Sequence, residues 1–141
     1  MSEEKISRIL AIDYGEKRIG LALSDPMMTF AYAFQTLNND SKFFNNLKQI
    51  IIEKNIEKIV LGLPYQDDGK LSSNANQILK FKEKLEAEFQ KEVILRDERY
   101  TSEIAKSMIL QSVNKKSKRR DKGLVDRNSA AIILQEYLDE Q

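Results

Sequence analysis

Residues 8–24 form the sequence RILAIDYGEKRIGLALS, which is two short apolar runs separated by a polar turn. Apolar runs of this length that are bounded by turn residues predict β-strands, and a short polar connection predicts a hairpin. We therefore expect strands at residues 8–13 and 18–24, with Asp13 at the end of the first. Gly20 would allow another backbone to approach the second strand closely.

The remainder of the chain alternates between buried-strand and amphipathic-helix patterns. Further strands are predicted at residues 32–37, 57–63 and 92–96. Apolar positions at helical spacing predict four helices with inward faces at residues 43–51, 75–89, 104–109 and 130–138. The predicted order is therefore βββ-α-β-α-β-α-α.

This order fixes the strand directions. Three consecutive strands form an antiparallel meander, whereas strands joined through helices are parallel. The first, third, fourth and fifth strands should then end on the same side of one five-stranded mixed sheet flanked by helices. Ligands of open α/β sheets bind at that side. The length of 141 residues predicts a single domain over residues 1–141.

The composition restricts the available chemistry. The chain contains no cysteine and no histidine, which excludes disulfides, thiolate metal sites, cysteine nucleophiles and Ser-His-Asp triads. An enzyme of this composition must use carboxylates, Lys or Arg, hydroxyls and a metal ion with oxygen ligands. With no cysteine, no signal peptide and no apolar run of membrane-spanning length, we expect a cytoplasmic protein without a membrane association.

The charge is unevenly distributed. Residues 115–122, KKSKRRDK, hold six basic residues and one acid, and contribute +5. Because the formal net charge of the chain is +1, the other residues together carry −4. Such a basic run is either a solvated loop or a contact surface for phosphates.

Carboxylates are expected to gather at the carboxyl ends of the parallel strands. Asp13 ends the first strand, and Glu98 follows the fifth with Asp97 beside it. Asp126 lies in the first turn of a last helix that begins at about Asp126. That helix can start at the same side, because the preceding segment is long enough to cross back over the sheet. Clustered carboxylates without His or Cys suit one or two Mg²⁺ or Mn²⁺ ions, which support phosphodiester hydrolysis.

Four motifs extend this interpretation, and together they cover nearly the whole chain. They are IDYGEKRIGLALSD at residues 12–25, GLP at 62–64, DERYTS at 97–102 and VD at 125–126. In this order and spacing they resemble the YqgF/RuvX family. Members of that family are described as pre-16S rRNA nucleases and Holliday junction resolvase-like proteins.

The resemblance implies a ribonuclease H-like fold and a metal-dependent nuclease acting in ribosome biogenesis, on the 5′ end of pre-16S ribosomal RNA. Asp13, Glu98 and Asp126 match the acidic catalytic positions of the family and would bind the divalent ion. Residues within or beside the motifs would orient these acids or contact phosphate; they are Arg18, Arg99, Thr101, Lys115, Lys116, Lys118, Arg119 and Arg120.

Other functions remain open at this point. A Holliday junction resolvase would act on branched DNA and would require a twofold dimer, since it cuts two strands symmetrically. A non-catalytic RNA-binding ribosome assembly factor would need no acidic cluster, and a sugar-kinase-like phosphotransferase would need a second domain. We expect a monomer or a weak homodimer. Tyr14 and Tyr100 are candidate stacking platforms for RNA bases, although packing against the scaffold is the simpler expectation.

Overall fold

A computed structural model of the chain describes residues 6–63, 75–97 and 122–141. Within these residues five strands form one sheet in the order β3-β2-β1-β4-β5. The strands are β1 (Arg8–Asp13), β2 (Arg18–Ser24), β3 (Ala31–Asn38), β4 (Ile56–Leu63) and β5 (Glu92–Asp97). All five predicted strands are confirmed, and the third, fourth and fifth extend by one residue at one or both ends beyond their predicted bounds.

The strand directions agree with the predicted topology. β2 is antiparallel to both β1 and β3, whereas β4 is parallel to β1 and β5 is parallel to β4. β1, β3, β4 and β5 therefore finish on one side of the sheet, which we call the carboxyl end of the sheet. The predicted five-stranded mixed sheet is confirmed.

Helices cover both faces of the sheet. They are α1 (Phe43–Glu53), α2 (Ala75–Phe89) and α3 (Lys122–Asp139). α1 and α2 supply one core, in which Phe43, Leu47, Ile78 and Leu85 are buried. α3 supplies the other core, and the five inward positions predicted for it are all buried: Ala130, Ile133, Leu134, Tyr137 and Leu138. None of these three described helices is both long and apolar enough to span a membrane.

Strand β1 shows how the sequence assigns side chains to the two faces. Successive side chains of a strand point to opposite faces, so every second residue shares a face. Leu10 and Ile12 belong to the core beneath α1 and α2, whereas Ile9 and Ala11 belong to the core beneath α3. By the same alternation, Asp13 lies on the α3 face.

The predicted start of the last helix is wrong. We expected the helix to begin at about Asp126, with that residue in its first turn, but α3 begins at Lys122 and Asp126 is its fifth residue. The sequence signal failed because Gly123 costs a helix about 1 kcal/mol relative to alanine and so suggests a loop. Asp126 is therefore not an acid of the first turn. The helix predicted at residues 104–109 lies outside the described residues.

The loop between β2 and β3 is organised by the Asp25 carboxylate. Its Oδ1 accepts hydrogen bonds from the backbone N–H groups of Thr29 and Phe30, both at 2.7 Å, and its Oδ2 accepts one from Met27 at 3.3 Å. Met28 adopts a left-handed backbone with φ of 56°. A non-glycine residue in this region is strained, and these hydrogen bonds hold it there.

Asp25 gives the fold a dependence on pH. The N–H of Phe30, aided by those of Thr29 and Met27, holds the pKa of the Asp25 carboxyl below its ordinary value of 3.8. A lowered folded-state pKa stabilises the fold above the unfolded value, and the contribution is lost as pH falls through the folded value. We expect Asp25→Asn to unfold at a lower temperature than the parent at neutral pH. The difference should shrink below pH 3.8; a constant difference across a series of thermal melts would contradict this role.

Candidate active site

Three residues on neighbouring strands lie side by side on the α3 face, at the carboxyl end of the sheet. Asp13 of β1 is opposite Gly20 of β2, and Gly20 is opposite Thr36 of β3. Asp13 and Thr36 are half-buried, whereas Gly20 is buried. The row has a small residue at its centre, which leaves room for another element above it.

The backbone of α3 fills that room. A Cβ atom at Gly20 would lie 2.2 Å from the carbonyl carbon and oxygen of Asp126 and 2.6 Å from the amide nitrogen of Arg127. Only glycine allows this approach, as the sequence suggested for Gly20. Gly20 on β2 is the register partner of Asp13 on β1. By approaching Gly20, α3 therefore places Asp126 over the strand next to the one that ends in Asp13. Asp126 therefore lies over β2, and Asp13 ends the neighbouring strand β1 at the same end of the sheet.

Arg18 fixes the Asp126 carboxylate. Its Nε donates a hydrogen bond to Asp126 Oδ2 at 3.1 Å, and the two side chains are 35% and 24% exposed. Arg18 lies two residues before Gly20 on β2 and therefore on the same face. The structure thus brings together three of the predicted site residues: Asp13, Arg18 and Asp126.

One further contact of α3, made by Arg127, was not predicted from the sequence. Arg127 Nη1 donates a hydrogen bond to Thr36 Oγ1 at 3.2 Å, which ties the next residue of α3 to β3. With the Arg18–Asp126 pair, it attaches two successive helix residues to two neighbouring strands. Arg127 follows the predicted acid directly, and that adjacency was the only signal for it in the sequence.

The hairpin turn after Asp13 is held by a contact with α2, on the face of the sheet opposite α3, and by hydrogen bonds with Asn39. The Tyr14 ring packs on Phe81 of α2, with ring centroids 4.7 Å apart. The Asn39 side-chain amide donates a hydrogen bond to the carbonyl oxygen of Gly15 at 2.9 Å. The Asn39 backbone N–H donates a second one to the carbonyl oxygen of Lys17. The expected packing of Tyr14 against the scaffold is confirmed, and it anchors the chain immediately after Asp13.

The other predicted site residues lie outside the described residues; they are Glu98, Arg99, Thr101, Lys115, Lys116, Lys118, Arg119 and Arg120. Strand β5 ends at Asp97, which is paired with Leu63 at the carboxyl end of the sheet. Within residues 6–63, 75–97 and 122–141 no group of three or more acidic residues could hold a metal ion. The described residues therefore include Asp13 and Asp126 of the three acids that were predicted to hold the metal ion.

The donors that are present fit a hard divalent cation. Asp13 and Asp126 provide carboxylate oxygens on one face, and the chain has no histidine or cysteine to offer a softer metal. Oxygen-only donor sets suit Mg²⁺ and Mn²⁺. Carboxylates gathered in this way also require positive charge nearby, and Arg18 already supplies one such charge to Asp126.

Arg18 should act as a positioning residue for Asp126. We expect Arg18→Ala to lower kcat/KM for nucleic-acid cleavage by about tenfold to a hundredfold, the usual cost of losing a group that orients a metal ligand. Its effect on stability should stay below about 1 kcal/mol, because the ion pair is partly exposed. Thermal melts and cleavage rates of the same preparations separate the two effects.

A matched control exists just beyond the other end of α3. Glu140, the residue that follows this helix, accepts hydrogen bonds from Arg96, so Glu140→Gln weakens an ion pair away from the site. We expect this variant to cleave at the parental rate. Equal rates for Arg18→Ala and Glu140→Gln would contradict the positioning role.

The sheet order and the helices on both faces of the sheet are those of a ribonuclease H-like fold. A family model described as "RuvX: Holliday junction resolvase" matches residues 7–140. The chain belongs to the RuvX family, and with that family it is a phosphodiester-hydrolysing enzyme, a nuclease.

Relatives with curated names agree in length and sequence. A protein of Azobacteroides pseudotrichonymphae named "Putative pre-16S rRNA nuclease" is 44% identical over 135 residues, which cover 95% of this chain and 97% of the relative. One of Porphyromonas gingivalis with the same name is 41% identical over 135 residues, with the same two coverages. The resemblance noted in the sequence is confirmed.

Solved structures support the fold. The RuvC protein of T. thermophilus, in complex with a Holliday junction substrate, superposes with a TM-score of 0.57 at 14% identity, covering 95% of this chain and 94% of that one. The Fowlpox virus resolvase, with its Holliday junction DNA, gives a TM-score of 0.56 at 14% identity, covering 94% and 97%. The predicted ribonuclease H-like fold is confirmed.

Proposed function

We propose that this nuclease is metal-dependent and processes the 5′ end of pre-16S ribosomal RNA. One observation carries the proposal. The contact of Gly20 with the backbone of α3 brings Asp126 beside the strand that ends in Asp13. Two acids on one face at the carboxyl end of the sheet suit phosphodiester chemistry on a divalent ion.

The proposed roles follow from the placement of each residue. Asp13 and Asp126, together with Glu98, would hold one or two Mg²⁺ or Mn²⁺ ions. A divalent ion bound there would stabilise the negative charge that develops on the phosphate during hydrolysis. Arg18 holds Asp126 in place. Arg99 and Thr101 would orient the acids or contact phosphate, and the basic residues of the run 115–122 would bind the phosphate backbone.

The RNA substrate is proposed from the names of the relatives, which describe pre-16S rRNA nucleases. We further propose that residues 1–141 act as one domain, in the cytoplasm, as a monomer or a weak homodimer. Cleavage of one RNA strand needs a single site and therefore no twofold symmetry.

A Holliday junction resolvase is the second candidate. The description of the matching family model and the titles of the similar structures favour it. Such an enzyme cuts two strands symmetrically and would therefore act as a twofold dimer. Its active species should have twice the mass of the chain.

A comparison of substrates tests both candidates. A labelled ribosomal-RNA precursor and a labelled DNA four-way junction are incubated with the protein in Mg²⁺ or Mn²⁺, and the mass of the active species is measured by light scattering. We expect cleavage of the RNA near the mature 5′ end and an intact junction. Symmetric cuts in the junction by a dimer would establish the resolvase instead. Salt-dependent RNA binding without any cleavage would indicate a ribosome assembly factor.

A further inference from the structure

A cavity of about 260 Å³ lies at the carboxyl end of the sheet, on the face opposite the acidic pair. Tyr14, which directly follows β1, and Asn39, which directly follows β3, line it from the sheet. Phe44 lines it from α1 and Lys80 from α2. The roles proposed for the acidic pair, for Arg18 and for the basic run 115–122 do not involve this cavity.

The lining has an aromatic part. Tyr14 and Phe44 are half-buried, and both rings pack on Phe81, with centroid distances of 4.7 and 5.9 Å. Phe43 completes the cluster and is itself buried. The two half-buried rings are therefore held in place by a rigid base while part of their surface remains open. Such rings are suitable partners for an unstacked nucleobase.

The lining also has a cationic part. Lys80 and Lys84 are four residues apart on α2, so they lie on the same helix face, and Gln77 precedes them on that face. Both lysines are exposed, and neither forms an ion pair with any other residue in the described part of the chain. Among the described residues that line the cavity, two lysines face one acid, Asp40, so this part of the lining is net positive. This charge is complementary to a phosphate.

The position of the cavity relates it to the active site. Tyr14 is the neighbour of Asp13 in sequence, and their side chains lie on opposite faces of the sheet because they alternate. An RNA strand whose phosphate lies at Asp13 therefore needs only to pass around the end of β1 to reach Tyr14. Adjacent nucleotides of one strand could occupy the two places.

We propose that this cavity binds an unpaired nucleotide of the RNA substrate, with its base against Tyr14 and Phe44 and its phosphate at Lys80 and Lys84. This inference rests on the proposed function, because it deepens the assignment of an RNA substrate. It implies that the enzyme recognises a single-stranded nucleotide close to the bond that it cuts.

The test measures binding without cleavage. In the Asp13→Asn background, fluorescence anisotropy is recorded with a labelled 12-nucleotide single-stranded RNA at several salt concentrations. Lys80→Gln with Lys84→Gln should weaken binding by about tenfold, since two charge-assisted contacts are lost. The slope of log affinity against log salt should become shallower by about 1.4, at about 0.7 for each phosphate contact of a single strand.

The matched control is Lys48→Gln with Lys91→Gln. It makes the same change in net charge at two lysines that do not line the cavity. The control should keep nearly the parental affinity and slope. Equal losses in the two double variants would show that only the net charge matters and would overturn the proposal.

The aromatic part is tested by Phe44→Leu, measured well below its melting temperature. Loss of one stacking partner should weaken binding of the same RNA by about fivefold or more, with the salt slope unchanged. Unchanged affinity in this folded variant would overturn the proposed base contact. A loss seen only with a single-stranded DNA of the same sequence would overturn the assignment to RNA.

Failure of this proposal can be distinguished from failure of the proposed function. If the wild-type protein cleaves the RNA precursor but the cavity variants bind normally, the nuclease assignment stands and the subsite is wrong. If the wild-type protein cleaves no RNA, the nuclease assignment to RNA is wrong whatever the cavity variants do.

Discussion

Replacing Asp13 by asparagine is expected to lower the rate of RNA cleavage by about a thousandfold or more, the scale on which loss of a catalytic group acts. Asparagine keeps the shape of the side chain and removes its charge. A neutral amide is a poor ligand for Mg²⁺ or Mn²⁺, which prefer carboxylates. Because Asp13 is half-buried at the end of β1, the variant should still fold, and far-UV circular dichroism with a thermal melt checks this.

Two further variants complete this experiment. Asp126→Asn should cause a comparable loss, and the double variant should be little worse than either single one, since residues that act as a unit are not additive. Asp139→Asn removes the same charge from the other end of α3 and should cleave normally. Full activity of folded Asp13→Asn would contradict the assignment of this residue.

Gly20→Ala is expected to have a large effect on both stability and cleavage, although it changes no charged or polar group. The added Cβ would lie 2.2 Å from the carbonyl carbon and oxygen of Asp126 and 2.6 Å from the amide nitrogen of Arg127, and all three atoms belong to the backbone of α3. The helix must shift away from β2, which should destabilise the protein by about 1–3 kcal/mol. Because the shift carries Asp126 away from Asp13, cleavage should fall by about a hundredfold, as expected for a misplacement of about 1 Å.

Thr36→Ala is the control for this variant. Thr36 is opposite Gly20, and its replacement removes the acceptor of the Arg127 hydrogen bond without adding an atom. We expect a cost of about 1 kcal/mol and a small effect on cleavage. Cleavage by Gly20→Ala at the parental rate would show that the helix position is unimportant for catalysis. Urea unfolding and cleavage rates provide the two readouts.

The sheet and the acidic pair could be predicted because both follow from periodicity and strand direction. The alternation of Leu10 and Ile12 with Ile9 and Ala11 places Asp13 on the α3 face without any knowledge of distances. The predicted strand directions then place the carboxyl ends of β1, β3, β4 and β5 on one side of the sheet. Glycine at position 20 suggested a close backbone approach, and α3 is the element that makes it.

The remaining features depend on three-dimensional details that a pattern does not contain. α3 begins four residues before Asp126, because packing of its apolar face on the sheet overrides the low helix propensity of Gly123. The Arg127–Thr36 hydrogen bond requires both the rotation of α3 and the register of β2 with β3, which shifts between Leu21 and Ala22. The cavity beneath Tyr14 requires the positions of two helices.

The most direct test of the account is the metal dependence of the wild-type enzyme on its proposed substrate. A labelled pre-16S ribosomal RNA is incubated with the protein in Mn²⁺, then in excess EDTA, and finally with Mn²⁺ restored, and the 5′ ends of the products are mapped. We expect cleavage near the mature 5′ end that stops in EDTA and returns with the ion. Cleavage that persists in EDTA, or an RNA that stays intact throughout, would contradict a metal-dependent RNA nuclease centred on Asp13 and Asp126.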